Sequence, residues 1–520
     1  MSRQSTPSAP RRAFARAAAA GLLTAAVAFG LATPTWAQPR VLTVGNPFAP
    51  LSMDPSLSGN GRAGTHLMPA YEPLIRTRAD GSFEPGLATA WSMSNDLKEA
   101  TFTLRRDAKF SDGEPVNAEA VKKSIEYFVG KKGPFSVNLA TLVGIDVLDP
   151  QRVRIRVSQP NPALLNLFDA NFNSGYIISP KALATPDQLG SRSFGAGPYR
   201  LDPAATVTGK TYTYLPNEHY YDKSRIKWDK VVISVFEDQN SAIQAMKAGQ
   251  LKFLVSDPIT GFANAGKLEK NMKIISDPVQ WAGLILMDRG GIINPALKDV
   301  RVRQAINHAI DRPLVAKALL GPFADPTTQL QGDGFLGFDA PSENRYPYDI
   351  EKAKALLAAA GYAKGLDLKI DYVNNTLSRT LAQALGGQLR KAGINVKLNE
   401  LPNFGAMLAG ANGKTIETLV FNSNSGVPHL ARFQTLAPKG SLNFYGSEDA
   451  TLAKLVDEAL ALPIARSEAA WRKVYAHVVE LAWFAPVAAT HAVYFHTDEV
   501  KAPKVGQSIV IDLINVVPAQ

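Results

Sequence analysis

Strings that could carry chemistry are few along this chain, and each fails on its context. Gly59-Asn60-Gly61-Arg62-Ala63-Gly64 spells GxGxxG, the pattern whose glycines let a backbone approach a dinucleotide pyrophosphate. That use requires a strand immediately before it, but the nearest strand-like run ends at Val44, fifteen residues upstream. Gly413-Lys414-Thr415 resembles the close of a phosphate-binding loop, yet Leu408 stands where the first glycine must be. Ser224-Arg225-Ile226-Lys227 fits SxxK without the other elements of that hydrolase class, and neither HExxH nor GxSxG occurs. The 7 histidines are scattered without ligand spacing, and there is no cysteine. Disulfides, thiolate metal sites and cysteine nucleophiles are thereby excluded. We expect no enzyme, no cofactor and no built-in metal.

The elements that would position any site begin after a processing signal. Arg3, Arg11, Arg12 and Arg16 precede an apolar stretch from Ala17 to Ala32, then Pro34 and the small-x-small ending Thr35-Trp36-Ala37. This is the layout of a secretory signal peptide, and we place cleavage after Ala37. PRRAFAR also resembles a twin-arginine signal, so the export route stays open. Without a cysteine to carry lipid or a later apolar span, the mature chain is expected to be periplasmic, soluble and unanchored. Leaving out those four arginines reduces 56 basic residues to 52 against 46 acids, a net charge of +6. No dense basic run with interleaved aromatics appears, so the excess reads as a solvated surface and nucleic acid is not an expected partner.

At 520 residues, with 46 % hydrophobic and 20 % charged residues, the chain is globular and too long for one ordinary core. Arg40–Val44 reads as a first strand, and residues 60–72 as helical. Residues 101–105 alternate as a half-buried strand, with Asn117 placed to cap the next helix. Residues 153–157, 212–215 and 231–236 add strands, and 239–248 a helix stopped by Gly249. After Trp281, Gly283–Met287 reads as a crossing strand, and Asp299 caps the helix 300–310. A helix at 349–360, a strand at 366–373, a helix at 378–392 and a strand at 394–398 follow in βαβ order. Two amphipathic helices, 451–462 and 467–481, come late.

Seven stations, in order and in register, then carry a resemblance. They are YEPLIRTRADGSFEPGLATAWSMSNDL (71–97), FTLRRDAKFSDGEPVNAEAV (102–121), GAGPYRL (195–201), PNEHYYD (216–222), DVRVRQAINHAIDR (299–312), YPYDIEKAKALLAAAGY (346–362) and FAPV (484–487). The chain resembles the extracytoplasmic solute-binding proteins, family 5, that serve peptide, nickel and related ABC importers. Most of these residues also read as scaffold: caps, turns and core.

The resemblance implies an α/β two-lobed clamshell of the type II periplasmic binding protein kind (cluster C), with an extra subdomain in lobe I. Lobe I would comprise 38–71, 192–281 and 493–520, the inserted subdomain 72–191, and lobe II 282–492. The chain would cross between lobes near Trp281–Leu284 and near Thr490–Val493. The implied partners are a small solute, most often a peptide or peptide-like molecule, and an inner-membrane ABC permease, with the protein acting as a monomer. In peptide-binding members an Asp in lobe II grips the ligand's α-amino group. Here the stretch LVFNSNSGVPHL (419–430) keeps Phe421 and Pro428 but has Asn424 in place of that Asp, and Leu401 in place of an upstream aromatic. An ammonium at Asn424 would lack its counter-ion, so a nickel chelate, an opine-like or sugar-containing solute, or an amidated peptide also fits. Ser58, Gly59, Asn60, Ser256, Asp257, Trp281 and His491 complete the expected cleft. A secreted hydrolase would need a nucleophile–base pair or metal cluster that the sequence does not offer, and a chaperone would show broad, weak peptide binding.

Overall fold

The computed structural model describes residues 39–58, 64–78, 81–426, 428–438, 440, 442–506 and 511–519. The proposed signal segment, Gly59 and Asn60 lie outside these residues.

Alternating apolar positions build a mixed sheet of eleven strands. From one edge its order runs Ile394–Leu401, Leu366–Val373, Thr418–Asn424, Met272–Leu286, Phe484–Thr497, Phe253–Ser256, Val41–Asn46, Lys230–Val235, Thr211–Pro216 and Tyr199–Leu201. A short strand, Ala324–Pro326, also pairs with Phe484–Thr497. A separate four-stranded sheet joins Ala88–Met93, Glu99–Leu104, Arg152–Val157 and Leu142–Asp149.

Most of the expected elements appear close to their places. Asn117 caps its helix by accepting from the Ala120 N–H at 2.9 Å, and Asp299 caps Val300–His308 by accepting from the Arg301 N–H at 2.8 Å. The expected helix over 60–72 is reduced to Gly64–Leu67 among the described residues. The helix expected from Ser378 starts at Thr376, because Asn375 takes the cap instead. The crossing strand expected at Gly283–Met287 is only the end of a fifteen-residue strand. Its first half, with Ser276-Asp277-Pro278, breaks the apolar run that sequence reading follows.

That strand, Met272–Leu286, and Phe484–Thr497 pair antiparallel from Met272 opposite Thr497 to Ile285 opposite Phe484. The register shifts twice, between Pro278 and Gln280 and between Ala282 and Gly283. At the second shift the strands approach so closely that a Cβ on Gly283 would lie 2.4 Å from the Ala485 carbonyl oxygen. Only glycine fits there.

The same two strands pass from one hydrophobic core to the next. Val279 and Ala492 pack with Leu42, Tyr71, Tyr214 and Val516. A few residues on, Ala282 and Ala488 pack with Val302, Ile306 and Leu381, while Trp281 and Phe484 pack with Met407 and Trp471. Another core, around Phe102, Val121 and Phe168, serves the four-stranded sheet. Ile178, Ala182 and Leu189 pack with the Leu42 core.

Candidate functional site

A cavity of about 1220 Å³ lies between two walls. The first is built from Tyr71, Arg76, Thr77, Asp169, Tyr176 and Asp512. The second comes from the loop Asp333–Phe338, from Asn424 and Gly426, and from Ile464–Arg472. Its size suits a solute larger than a single amino acid.

On the first wall the strand Ile75–Thr77 carries Arg76 inward against Glu72. Tyr220 and Tyr221 donate their hydroxyls to the two Glu72 oxygens at 3.2 and 3.1 Å, and Arg76 Nη2 donates to both hydroxyls at 3.1 and 3.0 Å. Burial raises the pKa of Glu72, and Arg76 works against it. Burial alone would lower Arg76, but Glu72 beside it keeps the guanidinium protonated.

Asp169 follows the short helix Leu165–Phe168 and is 2 % exposed. Its Oδ2 accepts from the Thr77 hydroxyl at 2.7 Å and from Asn171 Nδ2 at 3.1 Å, and its Oδ1 accepts from the Asn171 N–H at 2.7 Å. Burial pushes its pKa up to about 6, and these donors only partly offset that. Tyr176, 1 % exposed, packs its ring 6.0 Å from Tyr71, and its hydroxyl has no hydrogen-bond partner among the described residues.

On the second wall Asn424 ends the strand Thr418–Asn424, opposite Gln280 of the first crossing strand. Its Oδ1 accepts from the Gly426 N–H at 3.1 Å, which leaves the two N–H of its amide to donate. The loop is fastened from behind, because Val279, left out of the ladder at the first register shift, accepts from the Ser425 N–H at 3.0 Å. Behind Asn424 lies a pocket of about 10 Å³, near the size of one water, lined by Trp281, Gln331, Ser425 and Tyr475.

Of the residues named from sequence that the structure describes, Asn424 lines the large cavity and Ser58, Ser256, Asp257, Trp281, Phe421 and His491 are not in its lining; Gly59 and Asn60 lie outside the described residues. Trp281 is 2 % exposed, edge-on to Phe484 at 5.6 Å, and reaches only the small pocket. Phe421 packs against the core of Trp281. Buried Ser58 gives its carbonyl to Asn173 Nδ2 at 2.7 Å. Ser256 donates to Gln239 Oε1 at 2.9 Å, and Asp257 caps the helix Pro258–Ala265, accepting from the Thr260 N–H at 3.0 Å. His491 lies 3.2 Å from the Ser276 hydroxyl on the paired strand, and burial lowers its pKa. Tyr71, Arg76, Asp169, Tyr176 and Asp512 were not anticipated. Tyr71 and Arg76 stood inside a station read as scaffold, and Asp169 belongs to no motif.

The enzyme-like strings resolve as local structure. The Ser224 hydroxyl donates to Asp222 Oδ1 at 2.5 Å within a short 3₁₀ turn, and Gly413-Lys414 is a turn after the helix Phe404–Asn412. Among the described residues no group of three or more His, Cys, Asp or Glu could hold a metal ion, and no helix is long and apolar enough to cross a membrane.

Comparison with known proteins places these features in company. The pattern of the bacterial extracellular solute-binding proteins, family 5, matches residues 82–437. A glutathione-binding protein of Salmonella choleraesuis is 27 % identical over 401 residues, 75 % of each chain. A probable D,D-dipeptide-binding periplasmic protein of Escherichia coli is 29 % identical over 380 residues, 70 % of each chain. Among solved structures, a periplasmic binding protein from A. tumefaciens R10 in complex with agropinic acid superposes with a TM-score of 0.81 at 23 % identity, covering 92 % of this chain and 99 % of the other.

Proposed function

Because this chain belongs to the bacterial extracellular solute-binding proteins of family 5, we propose that it captures a peptide or peptide-like solute in the cavity between Tyr71–Tyr176 and Asn424–Arg472. It is the periplasmic solute-binding component of an ABC importer, with the two-lobed α/β fold of type II periplasmic binding proteins. The observation that carries the reading is the cavity of about 1220 Å³, walled from both sides of the two crossing strands.

In this reading lobe I is 38–71, 192–281 and 493–520, the inserted subdomain 72–191, and lobe II 282–492. Separate hydrophobic cores on the two sides of Val279–Ala282 support the division between the lobes, although Ile178, Ala182 and Leu189 of the segment 72–191 pack in the core of lobe I. Solute bound between the lobes favours their closure. Asn424 meets an uncharged or acceptor group of the solute rather than an ammonium. That also suits opine-like solutes, and the likeness to the agropinic acid complex keeps this second reading in view. The protein acts as a monomer handing its solute to a permease, without turnover of its own, and is cleaved after Ala37.

Native mass spectrometry of protein purified from its own periplasm tests this. The expected result is a monomer starting at Gln38 with one small solute bound. Re-adding that solute at a hundredfold excess over its dissociation constant should add about 2.7 kcal/mol of stability and make the protein more compact in small-angle scattering. A tightly bound solute that leaves the scattering profile unchanged would argue against closure. Hydrolysis of peptides or esters that one point substitution abolishes would refute the absence of turnover.

A further inference from the structure

We propose that the solute carries a cationic nitrogen and that it is received on the wall opposite Asn424, between the carboxylate of Asp169 and the hydroxyl of Tyr176. This rests on the solute-binding reading above and names the chemistry of one end of the solute.

Two observations at one place carry it. Asp169 lines the cavity, is almost wholly buried, and has no ion pair among the described residues; its hydrogen bonds come from neutral groups of Thr77 and Asn171. What sets Asp169 apart is that it lines the cavity, because buried ionisable side chains of the scaffold are also held by neutral groups. Arg312, for example, donates to the Pro486, Asn307 and Tyr346 carbonyls and to Asn307 Oδ1 at 2.7 to 3.1 Å. A buried carboxylate without counter-charge costs stability, and a cationic solute in the cavity would supply that counter-charge. Tyr176, lining the same cavity, leaves a buried hydroxyl without a partner, and such groups are rare unless a ligand or water meets them.

The acidic groups that act on the Tyr176 hydroxyl are Asp512, Asp169 and Glu72, and of these Asp512 is paired with Arg225 at 3.9 Å. Arg76 is engaged by Glu72. An ammonium or protonated secondary amine would meet Asp169 directly. The Tyr176 hydroxyl would donate to an acceptor next to that nitrogen, as in an α-amino carbonyl group. A peptide-like solute would then lie with its amine toward Tyr176 and its acceptor end toward the Asn424 amide.

The test is calorimetric titration of wild type, Asp169→Asn and Tyr176→Phe with glutathione, tri-L-alanine and their N-acetyl forms, alongside melting of the ligand-free proteins. Acetylation and Asp169→Asn should each weaken binding by roughly a hundredfold or more, and Tyr176→Phe by about tenfold. Ligand-free Asp169→Asn should melt at the wild-type temperature or a few degrees above it. Equal binding of free and acetylated forms, or binding that Asp169→Asn leaves intact, would overturn the proposal. So would a lower melting point for Asp169→Asn, which would mark the carboxylate as scaffold. If no probe of either kind binds the wild type, the peptide-like class fails instead. In that case n-butylammonium chloride, with n-butanol as the uncharged control, interrogates the seat alone. Saturable shifts of the Asp169 and Tyr176 NMR signals are expected with the cation only, and their absence overturns the seat.

Discussion

Glu72 and Arg76 on one wall of the cavity, and Glu468 and Arg472 on the other, are ion pairs of the same spacing, four residues apart. The first pair is sealed beneath Tyr220 and Tyr221; the second sits on a helix with about half of each side chain in solvent, 54 % for Arg472 and 46 % for Glu468. Spacing alone would rank them equal. Burial separates them, because a desolvated charge without its partner is costly while an exposed one is screened. The first wall is therefore the fixed one, with its Glu72–Arg76 pair locked before solute arrives. The second is built from glycine turns and solvated charges.

Breaking the sealed pair should have the largest effect. Arg76→Met leaves Glu72 buried without its cation and should cost about 3–5 kcal/mol in urea unfolding. The double variant Glu72→Gln/Arg76→Met should recover most of that loss; if it does not, the guanidinium matters for packing rather than charge.

Next comes the pH dependence of the same wall. Asp169 is raised to about 6 in the folded protein, against about 3.9 in an unfolded chain. Its folded form thus binds the proton more tightly. The stability this contributes is complete below about pH 4 and is lost as pH rises through 6, amounting to about 3 kcal/mol. Unfolding free energies of wild type and Asp169→Asn, compared from pH 4 to 7.5, should diverge in that direction. Parallel curves would mean the carboxylate is already charge-compensated.

Asn424→Asp removes the two N–H donors and faces the solute's acceptor with a like charge. It should weaken binding of the copurified solute by roughly tenfold or more, about 1.5 kcal/mol, read by calorimetry. The smallest effect belongs to the solvated pair. Arg472→Ala should change stability by less than about 1 kcal/mol, and by less still in high salt.

What could be read from the sequence follows the range of the forces involved. Caps such as Asn117 and Asp299 satisfy N–H groups two or three residues away, so residue type and position sufficed. Alternation placed Leu366–Val373 to the residue, because one pleated face of that strand is core. Asn424 was reached through the resemblance, not through periodicity, and it does line the cavity. Asp169 could not be found this way. Its partner Thr77 lies 92 residues upstream, and nothing local distinguishes it from an exposed aspartate. Trp281 shows the opposite case: its place at a crossing suggested the cleft, and its indole packs edge-on to Phe484 in the core while lining the small pocket behind Asn424.

The paired crossing strands also bear on the entropy of binding. A hydrogen-bonded ribbon joins the two sides, and its register shifts at Val279 and at Gly283. A flexible linker would have to be ordered each time a solute is captured, at about 1–2 kcal/mol per residue fixed. Here that ordering is complete at folding, once for the life of the molecule. The Asn424 turn is fastened to the same ribbon, because the Ser425 N–H donates to the Val279 carbonyl. If the proposed closure follows capture, it bends a ribbon already formed at folding and leaves no segment to refold.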